Sequence, residues 1–69
     1  RLEVALGEAA DNVNYYVYDN AGGMVATAHA AHKAAGEPQY INMGACAPGI
    51  YRVKVTAGGK QYDASVLKK

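Results

Sequence analysis

Tryptophan and phenylalanine are absent from this sequence of 69 residues, cysteine occurs once and proline twice. Without Trp or Phe, the six tyrosines supply nearly all of the large packing surface. The lone Cys46 cannot close an internal disulfide, so the redox compartment is not legible from cysteine. No apolar run approaches the roughly 20 residues that a helix needs to cross a bilayer. No charged-then-apolar leader opens the sequence either, which is read as an export signal removed upstream or never present. Charge of one sign is also missing. The net charge is +1, and the basic residues Arg1, Lys33, Arg52, Lys54, Lys60, Lys68 and Lys69 are nowhere interleaved with aromatics. That spread excludes a nucleic-acid footprint. A chain this short has room for one domain with a thin core, and a catalytic cleft would consume that core.

What is present is alternation. Ile50-Tyr51-Arg52-Val53-Lys54-Val55-Thr56 alternates large apolar with polar residues at period two, the pattern of a half-buried strand. Gly58-Gly59 follows, then a second strand from Lys60 to Leu67, so the glycine pair reads as a two-residue hairpin turn with positive φ at both positions. In that register Tyr51 faces Val66, Val53 faces Ala64 and Val55 faces Tyr62 on one side. Arg52 then faces Ser65 and Lys54 faces Asp63 on the other, and a slip of one residue would mix the faces.

Upstream, Leu2, Val4 and Leu6 alternate with Glu3 and Ala5, and Val13, Tyr15 and Val17 alternate with Asn14 and Tyr16, giving two more strands. Asp11-Asn12 is placed in the turn between them, and Asp19-Asn20-Ala21-Gly22-Gly23 is a second turn. Gln39 to Met43 is a short strand introduced by Pro38 and closed by Gly44. The alanine-rich Met24–Ala35 stretch favours helix by propensity, but it has no strong N-cap and little apolar face. It is read as a strand from Met24 to about Ala30 followed by a loop. The whole is then one all-β domain over residues 1–69, a β-sandwich of about six or seven short antiparallel strands. Its expected inward row is Leu2, Val4, Val13, Tyr15, Val17, Ile41, Met43, Tyr51, Val53, Val55, Tyr62, Ala64 and Val66.

Candidate chemistry is sparse. His29 and His32, with Cys46 or Met43, are the only residues from which a metal site could be sketched. There is no second Cys, no HExxH and no carboxylate at a ligand spacing, so the histidines read as solvated loop residues and no metal or cofactor is expected. Cys46 lies among small residues in Gly44-Ala45-Cys46-Ala47-Pro48-Gly49, with no oxyanion loop or orienting residue, and reads as a small structural hydrophobe. The carboxylates Glu3, Glu8, Asp11, Asp19, Glu37 and Asp63 are scattered, and neither Gly-Gly pair opens a helix that could hold a phosphate. No enzyme activity and no small-molecule substrate are expected. Tyr16 and Tyr18 point outward or to a rim, where tyrosine can serve as a contact or simply pack across strands.

Three blocks follow in order: Tyr18-Asp19-Asn20-Ala21-Gly22, then Ile41 to Val55 with Ala47-Pro48-Gly49-Ile50-Tyr51 at its centre, then Gly59-Lys60 and a basic end at Lys68-Lys69. From about Val13 to Lys69 this order resembles the C-terminal sorting domain of type IX secretion cargo proteins of Bacteroidetes. The resemblance implies an immunoglobulin-like sandwich that takes an attached N-terminal cargo through the periplasm and across the outer membrane to the cell surface. A translocon, a shuttle protein and a sortase are the implied partners, and the sortase is expected to remove the domain. Three departures stand out: Gly23 occupies a position where the family usually has a basic residue, Asp63-Ala64-Ser65 stands where members tend to carry a lysine, and the family's opening Pro-Asn-Pro block is missing. The missing block is read as a start either inside the domain, short of its first strand, or just after a cleavage point.

Contact with the export machinery is expected along Gly49, Tyr51, Val53, Val55, Gly59, Lys60, Val66, Leu67, Lys68 and Lys69. Lys68 and Lys69 are placed beyond the last inward pair, where their loss would spare the core. The competing reading is an adhesive or carbohydrate-contacting surface sandwich that uses the outward tyrosines.

Overall fold

The computed structural model describes residues 2–44 and 46–68. Among these, the chain forms strands β1 (Leu2–Ala5), β2 (Ala10–Tyr18), β3 (Met24–Lys33), β4 (Pro38–Ile41), β5 (Gly49–Ala57) and β6 (Lys60–Lys68), and no helix. They make two antiparallel sheets, one of order β3-β2-β5-β6 and a smaller one of β1 and β4, stacked as a small β-sandwich.

The β5–β6 hairpin has the register that alternation dictates: Tyr51 opposite Val66, Val53 opposite Ala64, Val55 opposite Tyr62. Gly58 and Gly59 take φ of 54° and 83° in its turn, the primed geometry whose twist matches that of the flanking strands. The β2–β3 turn is set by Asp19, whose Oδ1 accepts from the amides of Ala21 at 3.0 Å and Gly23 at 2.8 Å.

The alanine-rich segment is a strand through Lys33, longer than its expected end near Ala30. Its half-buried Ala26, Ala28 and Ala30 lie opposite Val17, Tyr15 and Val13 of β2, so small side chains sit beside large ones. Pairing along β2 overrides the alanines' helix propensity. His29 and His32 therefore stand on a strand and not in a loop.

Asp11-Asn12 is not a turn either, because both residues lie within β2 and Asp11 pairs with His32. Asn12 tolerates its φ of 51°, as Asn does more readily than most residues, without ending the strand. The link between β1 and β2 runs instead through Leu6–Ala9 and carries the chain from one layer to the other. β4 begins at Pro38 and ends at Ile41, two residues short of the expected Met43. Beyond it, the Asn42 side chain accepts the amide of Gly44 at 2.9 Å, and Met43 turns into the core from the loop.

The core comprises Val13, Tyr15, Val17, Ile41, Met43, Tyr51, Val53 and Val55 of the expected row, together with Leu6 and Ala57, which continue the same alternation. Leu2, Val4 and Val66 are half-buried against it. Tyr62 and Ala64 are exposed, contrary to expectation. The reason is width. The small layer has only two strands, and a groove of about 310 Å³ remains between β1 and the inward side of β5 and β6, where Tyr62 and Ala64 lie.

Candidate functional site: the C-terminal hairpin

Of the residues expected to carry the signal, those that are described lie on β5, β6 or their turn, and the fold sorts them by depth. Tyr51, Val53 and Val55 are buried, Val66 and Lys68 are half-buried, and Lys60 and Leu67 are exposed. Gly49 opens β5 opposite Lys68 at φ 153°, and Gly59 sits in the turn. Lys69 lies outside the described residues.

The tyrosine on β5 closes the loop that precedes it. Its hydroxyl donates to the carbonyl of Ala47, and burial, assisted by the Cys46 thiol and Asp19, pushes that hydroxyl's pKa up. Next to it, the Lys68 ammonium donates to the carbonyl of Cys46, while the Cys46 amide bonds to the Met43 carbonyl at 3.0 Å. Cys46 itself is half-buried against the core. Lys68 thus lies on the inward side of β6, in line with Val66, and not beyond the last inward pair. That parity was available in the sequence: two residues past an inward valine is again inward.

At the other end of the hairpin, Lys60 pairs with Glu8 at 2.8 Å, and the Tyr62 hydroxyl donates to the same carboxylate at 3.1 Å. The two bonds, with the ammonium charge, hold the Glu8 carboxyl below its usual range, and the same pairing raises Lys60.

On the outer face of the large sheet, Tyr16 lies between Thr27 and Lys54, and Tyr18 beside Arg52. Both tyrosines are half-buried. A shallow hollow of about 510 Å³ beside them is lined by Arg52 and Lys54 but also by Asp19 and Asp63, so it presents no charge of one sign. Ile50 and Leu67, 57% and 65% exposed, face each other across β5 and β6 on this side.

The histidines are engaged locally. His29 Nδ1 bonds to Asn14 Oδ1 at 2.9 Å, and His32 Nδ1 to Asp11 Oδ1 at 2.6 Å. Among the described residues, no three of His, Cys, Asp and Glu gather as a group that could hold a metal ion.

No curated protein and no solved structure matches the chain. A family model does: the one described as the secretion system C-terminal sorting domain matches residues 1–69, the whole sequence. The block from Ala47 to Val55, which the hairpin places from the loop into the core, lies inside that match. This chain belongs to the family of secretion system C-terminal sorting domains.

Proposed function

We propose that the chain works as the folded export signal of a cargo protein attached to its N-terminal side, passing through the periplasm and over the outer membrane by the type IX route, and that a cell-surface sortase then removes it. The family match over the whole sequence is the observation that carries this reading. The fold supports it in one further respect. The matched block is tied into the domain by burial of Tyr51, Val53 and Val55, so the surface offered to a translocon or shuttle protein is that of a folded sandwich rather than of a linear tag. On this reading the domain has no chemistry of its own: Cys46 packs against the core, and the histidines bond to Asn14 and Asp11.

The test is a reporter directed to the periplasm and fused ahead of residues 1–69, in a host that has the machinery. Delivery of the reporter to the cell surface, with the chain removed from it, is the expected result. Retention in the periplasm with the domain folded would overturn the reading.

A further inference from the structure

Three lysines stand at strand ends, and each holds a loop. Lys33, closing β3, donates to the Pro38 carbonyl at 3.0 Å and lies 3.7 Å from Glu37. Lys60, opening β6, holds Glu8 of the β1–β2 link. Lys68, closing β6, reaches the Cys46 carbonyl in the loop between β4 and β5.

The third differs from the others in having no carboxylate within 4.0 Å among the described residues. What its ammonium meets is a backbone carbonyl. The neighbouring carbonyl, that of Ala47, is taken by the Tyr51 hydroxyl. Two consecutive carbonyls of a loop outside any strand are therefore held by side chains from β5 and β6. Lys68 is half-buried, whereas its neighbour Leu67 is 65% exposed on the opposite side of the strand.

We propose that Lys68 is a positioning residue: its ammonium docks the loop at Cys46 onto the end of β6, so that this part of the loop and the strand end open together. Resting on the sorting reading above, the basic end serves the signal through this loop and not as a freely exposed charge. A hydrogen bond from a charged donor to a part-buried acceptor corresponds to about tenfold or more in a local opening equilibrium.

The experiment uses the single thiol as a reporter of that opening. Alkylation of Cys46 by iodoacetamide is measured under native conditions, with global stability followed by urea unfolding. In Lys68→Met, which keeps the aliphatic stem, labelling should quicken about tenfold and depend little on low urea, the mark of a local rather than a global opening. Lys68→Arg, which restores a cationic donor, should return most of the protection. Leu67→Lys/Lys68→Met keeps the net charge of the strand end but puts it on the outward side, and it should label as fast as Lys68→Met. Wild-type labelling in Lys68→Met, or slow labelling in the double variant, would overturn the proposal. In the unsubstituted chain, amide exchange of Cys46 and of the last β5–β6 rungs should report one common opening, and clearly separate openings would count against it.

Export of the reporter fusion supplies the second arm. Lys68→Met should export less than the unsubstituted chain, and the double variant, which restores the charge on the outward side, should export no better than Lys68→Met. Export returned to the unsubstituted level in the double variant would show that charge itself is read. If the unsubstituted chain exports nothing, the sorting reading fails, while the labelling result still decides the latch.

Discussion

β5 and β6 alternate with the same period and lie side by side, yet one buries its inward row and the other does not. Along a single rung, Val53 is 3% exposed while its partner Ala64 faces solvent. Period two decides which residues share a face of a sheet. Burial is decided by what lies opposite, and here the opposite layer is the two-stranded β1–β4 sheet, which leaves a groove over β6. A half-covered sandwich concentrates its stability in β2 and β5 and leaves β6, with an unpaired edge among the described residues, as the more exposed strand of the hairpin.

The rung offers the sharpest way to break this comparison. Val53→Asp puts a carboxylate into the core with no partner, a cost comparable to the whole stability of a domain this small, on the order of 5 kcal/mol. No cooperative urea transition should remain. Ala64→Asp, one strand over, should fold and shift stability by less than about 1 kcal/mol. Equal damage at both positions, read by circular dichroism, would mean that the groove over β6 is not open in solution.

The hairpin turn holds the covered strand to the uncovered one. Gly58 and Gly59 have open space where a Cβ would go, so the cost of a side chain is the backbone cost alone. Gly59→Ala should destabilise by about 1–2 kcal/mol, measured as a drop in the urea midpoint. Gly58→Asn should cost less, because Asn tolerates positive φ in this turn type. Indifference to Gly59→Ala would show that the turn adds nothing to holding β6 in place.

Two tyrosines sharpen the comparison inside the covered region. The Tyr15 hydroxyl is buried with no hydrogen-bond partner among the described residues, whereas that of Tyr51 bonds to the Ala47 carbonyl. An unmet buried hydroxyl destabilises and a met one does not. Tyr15→Phe should therefore be neutral or stabilising by about 1 kcal/mol, and Tyr51→Phe destabilising by about the same amount. Opposite signs in the two urea midpoints are the expected outcome, and a shared sign would contradict the assignment.

Much of this was legible before the structure. The register of β5 with β6, the Asp19–Gly23 turn and the inward rows of β2 and β5 follow from alternation and turn chemistry at named positions. The rest depended on partners distant in sequence. Lys33 belongs to a strand because β2 pairs that far, which no local alanine propensity can register. Asp11-Asn12 reads as a turn pair, but its pairing partners on β3 keep it in β2. Tyr62 and Ala64 obey the alternation and are exposed only because of the small layer's width. In the candidate site, Lys68 is expected beyond the last inward pair, although its parity with Val66 puts it inward, against the Cys46 carbonyl.

The smallest expected effect tests whether the β1–β2 link is fastened to the exposed hairpin. The pairing with Lys60 and Tyr62 holds the Glu8 carboxyl below its ordinary range, so the unfolded chain binds a proton there before the folded chain does. Stability from this group is fully present above the ordinary carboxylate range and fades as pH falls through it toward the folded value. Lys60 is shifted the other way: raised by Glu8, it contributes below the ordinary lysine range and loses that contribution as pH rises through its folded value. Glu37 is lowered too, chiefly by the Ala34 amide and then by Lys33, so it shares the acid limb. Tyr15 and Tyr51, both raised by burial, share the alkaline limb with Lys60, so in urea midpoints measured against pH at low salt Glu8→Gln should flatten only part of each limb. Both effects should shrink as salt is added, since Lys60 and Glu8 are well exposed. An alkaline limb unchanged in Glu8→Gln would show that the two groups do not hold each other in solution, leaving the Tyr62 hydroxyl, among the described residues, to tie Glu8 to β6.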